Sequence, residues 1–325
     1  MRKYMIPWVI LITVSALALF AGNNAIGTSD ILSVLTGHGT ASQQLIIFQV
    51  RLPRILAAIF SGAALSVAGY LLQGCLDNRI VSPGILGINN GAGLFVLLSA
   101  WLFPFHTGAK CMMAFLGALL VTIFVSVLSV KTGMSKTSVV LSGVAISALC
   151  VSVIDLIISL KPETVADRAA FQIGGFATVQ YKIVLFASPM ILIGLILSLL
   201  TAPSMDILSL GDEMAHGLGL AVKRYRTILV ISAAVLAGAS ICMGGLLGFV
   251  GLIIPNCVRM LNKGNSRQGM ILCILYGAAF LLLCDTISRL IVFPYELPCG
   301  LVLSVIGAPY LIWILIKKRK RLGTD

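Results

Sequence analysis

Ten apolar runs, separated by short links that carry the charges and the turn residues, limit what this chain can fold into. They lie at about 5–21, 55–75, 84–103, 110–130, 137–160, 183–201, 227–247, 249–258, 268–290 and 298–316. A helical bilayer crossing takes about 20 apolar residues, and lipid offers no partner to a free peptide group, so open sheets are excluded. Only 10% of the 325 residues are charged and 59% are hydrophobic, against roughly 25% charged in a soluble domain. The sequence predicts an all-α polytopic membrane protein of ten transmembrane helices. The links leave no room for a separate soluble domain, so residues 1–325 read as one transmembrane domain. The run at 249–258 is too short for a lipid-exposed crossing and contains Pro255, which predicts a tilted or broken segment enclosed by protein.

An even number of crossings puts both termini on one side, and charge selects which. With the N-terminus inside, sixteen of the 23 Lys and Arg fall in inner links or in the tail Lys317–Arg321. Arg51, Arg54, Lys110, Lys161, Arg168, Lys182 and Arg289 remain outside. Basic residues favour the cytoplasmic side, so the net charge of +12 reflects membrane orientation, not nucleic-acid binding. Arg2-Lys3 followed by the apolar Met5–Phe20 has the pattern of a signal peptide, with Ala16-Leu17-Ala18 as a cleavage site. Removing it would leave an odd number of crossings, and it is read as the first span. Eight cysteines are scattered through the apolar runs without a C-x-x-C pair and read as apolar filler.

The stretch Arg51–Gly93 is apolar yet interrupted by Gly, Pro, Asn and paired arginines. Irregular backbone at membrane depth survives only where protein buries it or where it lines a cavity, which points to a translocation path. Span two, RLPRILAAIFSGAALSVAG, runs into a break at Ser82-Pro83. Span seven, KRYRTILVISAAVLAGAS, runs into Gly244, Gly245, Gly248, Gly251 and Pro255. The two enter from opposite sides, which predicts inverted repeats. Gly87-x-x-x-Gly91 and Gly244-x-x-x-Gly248 predict small-residue faces for close helix packing.

The polar segment Ser204–Arg226 reads as one short amphipathic helix on the cytoplasmic side. Asp212 and Glu213 mark its start, and Gly217 and Gly219 its end. Its acids and short length favour presentation to a partner's groove over a place on the lipid surface. Arg51 and Arg54 lie against the charge trend at the mouth of span two, where simple snorkelling is the bland alternative. Asp285 and Arg289, four apart, share a helix face and can pair. Gln73 and Asp155 are polar groups within apolar spans, Asp155 near a solvated outer end. His38, His106 and His216 lack ligand spacing, and no metal site is read. No G-x-x-x-x-G-K-[ST] occurs, so ATP hydrolysis would belong to a partner.

LSLGDEMAHGLGL resembles the coupling segment of the FecCD-type permeases, the membrane subunits of ATP-binding-cassette (ABC) importers for ferric siderophores, haem and cobalamin. RLPRILAAIFSGAALSVAGYLLQ, SPGILGINNGAG, IGGF at 173–176, GFVGLIIPNCVRM, CDTISRL and ELPCGLVLSVIGAPYLIWIL follow the family pattern in order, over essentially the whole chain. The resemblance implies the type II ABC importer permease fold in a bacterial cytoplasmic membrane. It implies a second permease subunit, identical or related, two cytoplasmic ATPases that hold ATP and Mg, and an extracytoplasmic substrate-binding protein. No cofactor is implied for this chain. Leu210, Gly211, Asp212, Glu213, Ala215, Gly217 and Gly219 are expected at the ATPase contact. Arg51, Arg54 and Arg289 are expected to receive glutamates of the binding protein, a task suited to the bidentate, permanently charged guanidinium. Gln73, Asn78, Pro83, Ser135, Lys136, Thr137, Pro255 and Asn256 are expected at the path or its inner gate.

Two positions depart from the family. Asn78-Arg79-Ile80-Val81 stands where Asn-Pro-Leu-Ala is usual, and Pro255-Asn256 where Pro-His is usual. Asparagine can hydrogen-bond there but cannot titrate. The leading reading is a non-enzymatic permease for ferric siderophores, with haem or cobalamin as the alternative cargo. An ion-coupled secondary transporter needs a carboxylate near the midplane, for which Asp155 is the candidate. A serine hydrolase built on Ser61-Gly62 or Ser142-Gly143 lacks a histidine partner within the spans.

Overall fold

The computed structural model describes residues 2–20, 33–34, 39–103, 107–131, 135–262, 264–292 and 295–322; His38 and His106 lie outside these. The chain runs through α1 (Arg2–Phe20), α2 (Ala41–Leu45), a π-helical turn (Ile46–Arg51), α3 (Leu52–Cys75), α4 (Ile88–Leu102), α5 (Thr107–Lys131) and α6 (Lys136–Leu160). A 3-10 turn (Pro162–Thr164), α7 (Val165–Ile173), α8 (Tyr181–Leu200), α9 (Ala202–Leu208) and α10 (Asp212–Gly217) come next. The chain closes with α11 (Val222–Gly244), α12 (Val250–Leu261), α13 (Ser266–Leu290) and α14 (Cys299–Leu322). Among the described residues, six helical runs are long and apolar enough to cross a membrane: α2–α3, α5, α6, α8, α11 and α13. Four shorter apolar helices, within α1, α4, α12 and α14, complete a set that coincides with the ten apolar runs. The protein is a multi-pass, all-helical membrane protein.

The architecture is organised around α3 and α11, the most buried of the long helices. They run antiparallel: Arg226 of α11 meets the Cys75 carbonyl at one end of α3, and Met243 meets Ser61 near its middle. Each leads through an irregular stretch into a short helix, α3 into α4 and α11 into α12. Both short helices start from a left-handed residue, Gly87 (φ 78°) and Phe249 (φ 67°). This is the pairing that inverted repeats require. The breaks lie within the bundle: Gly87 sits against Gly143 and Ser147 of α6, and α11 ends beside the middle of α3. At 12 residues, α12 is only about 18 Å long, and its face from Val250 to Asn256 is buried by protein.

Small residues set the spacing. Gly62 of α3 faces Gly277 of α13, and Gly69 faces Gly251 of α12, so a Cβ at either α3 glycine would strike backbone. Close approach lets dispersion act over long helix faces where lipid provides no hydrophobic driving force between them. We expect Gly69→Leu to separate α3 from α12 and lower stability by about 1–3 kcal/mol. The thermal midpoint of the detergent-purified protein checks this, and an unchanged midpoint would contradict the packing.

Three sequence expectations need correction. Gly244 and Gly248 do not form one packing face, because Gly245 (φ 67°) ends the helix between them. Gly244 packs on Phe176, whereas nothing lies within 4 Å of the position a Gly248 side chain would take. Cys111 of α5 and Cys242 of α11 are not independent filler: they are joined as a disulfide, with Cα atoms 4.5 Å apart. Helix α7 is a separate element within what the sequence reads as a link. It carries Arg168, which pairs with Asp155 at 2.8 Å, and Asp167, which pairs with Lys110 at 2.7 Å.

Candidate functional site

Three polar clusters lie among the candidate residues, and α3 connects two of them end to end. At its start, Arg54 is 6% exposed and grips the fully buried Asp285 of α13, with Nε to Oδ2 at 2.9 Å and Nη2 to Oδ1 at 3.0 Å. Its Nη1 also donates to Glu296 at 2.5 Å. Arg289, 2% exposed, lies one helical turn from Asp285 at 3.5 Å and donates to the Ala18 carbonyl at 3.3 Å. Arg51 donates to the Leu19 carbonyl at 2.5 Å. The last carbonyls of α1 lack intrahelical donors, and two guanidiniums supply them. The three arginines expected at the binding-protein contact are thus buried and engaged within this chain, and the pairing of Asp285 with Arg289 is the one their spacing predicts. The cause is Asp285: a carboxylate within reach in an apolar setting holds the arginines inside, where unpaired charges would be costly.

A second cluster forms where α7, α11 and α14 meet. Gly175 donates to the Gly244 carbonyl at 2.8 Å, Leu246 to Phe171 at 3.0 Å, and Gly300 to Gly174 at 3.2 Å. Three broken backbones thus satisfy one another's peptide groups, the condition for irregular chain at membrane depth. The IGGF segment has a local reason here: Gly174 adopts φ 63°, and Phe176 is buried against Gly244. Beside this junction lies a cavity of about 240 Å³ lined by Arg54, Gly174, Phe176, Thr178, Glu296 and Pro298.

The third cluster is at the other end of α3 and gathers most of the expected path or gate residues. Buried Gln73 donates to the Gly251 carbonyl at 3.1 Å, and Asn78 N–H to the Gln73 carbonyl at 3.1 Å. Asn78 Oδ1 accepts from Ile80 N–H at 3.1 Å, which closes the turn. Asn256, 4% exposed, donates to the Arg79 carbonyl at 3.0 Å and to Leu252 at 2.8 Å. The two positions that depart from the family pattern therefore touch. Lys136 reaches Asp77 at 3.2 Å, Ser135 caps α6 by accepting from Ser138 N–H at 3.0 Å, and Thr137 is exposed beside them. Pro83 is buried in the stretch leading to α4, and Pro255 is buried within α12.

Next to this cluster, the segment expected as one helix over Ser204–Arg226 is two, α9 and α10, followed by the first turn of α11. Gly211 at φ 102° breaks the run, a conformation that costs other residues strain. Ala215, also expected at the partner contact, is fully buried and packs inward. Asp212 points to Arg226 at 2.7 Å. Leu210, Met214 and Leu218 are 58–62% exposed at four-residue spacing, an apolar stripe flanked by exposed Glu213, His216, Gly217 and Gly219. Met214 and Leu218 are absent from the residues expected at this contact, although their i, i+4, i+8 spacing with Leu210 on a polar segment is a legible signal.

The FecCD transport family model matches residues 10–317. This chain belongs to the FecCD transport family. It is 34% identical over 322 residues to the iron(3+)-hydroxamate import system permease protein of Bacillus subtilis, covering 96% of each chain. It is 34% identical to the hemin transport system permease protein of Yersinia pestis, over 84% of this chain and 83% of that one. A vitamin B12 import system permease protein of Citrobacter koseri is 32% identical, over 96% and 93%. A solved structure described as an inward-facing conformation of a metal-chelate type ABC transporter superposes with a TM-score of 0.86 at 27% identity, covering 98% of this chain and 99% of that one. In this FecCD permease the ordered segments noted in the sequence fall at the three clusters. RLPR opens the arginine cluster, IGGF forms the backbone junction, and GFVGLIIPN faces the third cluster.

Proposed function

We propose that this permease moves a ferric siderophore complex inward as one of two permease subunits of an ABC importer, with both termini in the cytoplasm. The observation that carries this reading is the exposed stripe Leu210, Met214 and Leu218 on the α9–α10 segment, beside the gate and at the opposite end of α3 from the arginine cluster. Exposed apolar patches rimmed by polar residues mark protein contacts, and a short helix laid into a groove suits an ATPase partner holding ATP and Mg. Leu210, Gly211, Glu213, Gly217 and Gly219 join Met214 and Leu218 in that contact. The extracytoplasmic binding protein meets the other end, whose shape the Arg51, Arg54 and Arg289 network fixes from beneath. Gln73, Asn78, Pro83, Ser135, Lys136, Thr137, Pro255 and Asn256 form the inner gate. A chelated ion arrives wrapped in its carrier, so the path needs no metal ligands of its own.

Asp155 favours this mechanism over ion coupling, because its carboxylate is engaged by Arg168 in a half-exposed pair. Cargo is tested by uptake in cells that carry the permease with its partners, challenged separately with labelled ferric hydroxamate, haem and cobalamin. Ferric hydroxamate uptake is the expected result. Uptake of haem or cobalamin alone would overturn the cargo assignment.

A further inference from the structure

Arg226 is among the largest fully buried side chains of the molecule, at 1% exposure, yet it sits one turn into α11 beside the exposed α9–α10 segment. Its Nη2 donates to Asp212 Oδ1 at 2.7 Å, and its Nε donates to the Cys75 carbonyl at 3.3 Å. Asp212 is the first residue of α10, and Cys75 the last of α3. One guanidinium therefore joins the partner-facing helix, the base of α11 and the end of α3. The terminal carbonyls of α3 lack intrahelical donors, so the cation there also complements the helix dipole. A planar fork can bridge two acceptors in fixed geometry, which an ammonium on a flexible stem cannot.

The chain just past Cys75 leads directly into the gate. Two residues on, Asp77 pairs with Lys136 of α6, and Asn78 bonds back to Gln73, whose amide holds the start of α12. A displacement of α10 pulls through Arg226 on the end of α3 and from there on the gate. The second attachment of the segment is of another kind: Asp206 of α9 accepts from the Ser266 N–H of α13 at 2.8 Å, and Met205 packs on Gly74. That attachment seats α9 on the bundle. The Arg226 bridge alone among these links joins α10 to α3 by a charge-assisted bond.

We propose that Arg226 is a positioning residue that transmits movement of the ATPase-facing helix to the inner gate through Asp212 and the Cys75 carbonyl. This rests on the reading of α9–α10 as the ATPase contact. The test uses the assembled importer in proteoliposomes and reads substrate moved per ATP hydrolysed, a ratio that a loss of folded protein leaves unchanged. We expect Asp212→Asn and Arg226→Gln each to lower that ratio about tenfold, the loss of one charge-assisted bond. Their double variant falls no further, because both remove one link. Arg226→Lys, which keeps the charge but not the fork, falls between. Should Arg226→Gln fail to fold, Asp212→Asn carries the test, since its carboxylate is partly exposed. A wild-type ratio in Asp212→Asn would overturn the proposal. So would release of the ATPases by that substitution, which would place the carboxylate in the partner's groove. Failure of the underlying reading shows separately: Met214→Asp would then leave ATPase association intact.

Discussion

Asp285→Ala is expected to lower the stability of the purified permease by about 3–5 kcal/mol, the cost of removing one partner from a buried ion pair. Asp285 is fully buried and accepts two parallel bonds from Arg54, with Arg289 at 3.5 Å on its other side. Without the carboxylate, two guanidiniums remain in an apolar setting with Glu296 as the nearest remaining anion for Arg54. Arg289, together with Arg51, also caps α1, so the attachment of α1 to α3 and α13 weakens with the network. Asp285→Asn keeps an acceptor and is expected to lose less. Replacing Arg54 and Asp285 together by Met and Leu is expected to cost less than the sum of the two single changes, because neither charge of the pair is then stranded. Thermal unfolding followed by size-exclusion recovery checks the series. A wild-type midpoint for Asp285→Ala would remove the network from the account of this end of the molecule.

Met214→Asp is expected to release the ATPases. Met214 is 62% exposed at the centre of a stripe with Leu210 and Leu218, and a central apolar anchor in such a contact is worth about 2 kcal/mol or more, roughly 30-fold in affinity. A buried aspartate would add its desolvation cost. The substituted side chain points away from the chain's own core, so the permease itself keeps its fold. Copurification of the ATPases with the membrane subunit, measured beside Ala215→Leu as a packing control, separates contact from folding. Association unchanged by Met214→Asp would show that the stripe faces something else.

Much of the fold is legible in the sequence because lipid leaves few options. The lengths of the apolar runs locate ten helices, and Pro255 with its short run marks α12 as an enclosed half-length element. The glycine clusters after spans two and seven mark the breaks, since left-handed starts and backbone crossings favour a residue without a side chain. Phe249 is the instructive failure: a left-handed aromatic carries no sequence signal. Helix α7 is hidden because nine residues with charges at 167 and 168 look like a link until Asp155 and Lys110 are known to lie opposite. The Cys111–Cys242 disulfide joins residues 131 apart, a pairing that only the packing of α5 on α11 reveals.

The site is legible in membership more than in geometry. Gln73, Asn78 and Asn256 belong to one expected group and are linked through Gly251 and Arg79 backbone. The sequence singles out the arginines but suggests a surface position, because sequence distance hides that Asp285, 231 positions from Arg54, is its partner. Arg226 looks in the sequence like one more basic residue of the positive-inside pattern. Its burial at 1% separates it from exposed Lys223 and Arg224 in the same turn.

The central claim is that this chain is driven by ATPases acting through α9–α10, and transport by the reconstituted importer tests it most directly. Proteoliposomes holding the permease, its ATPases and the binding protein are loaded with ATP or left without it, and accumulation of labelled ferric chelate is followed. We expect accumulation only with ATP, and its loss in Gly211→Pro, since proline cannot adopt the φ of 102° that turns α9 into α10. Accumulation that persists without the ATPases and collapses when an ionophore dissipates the ion gradient would contradict the account.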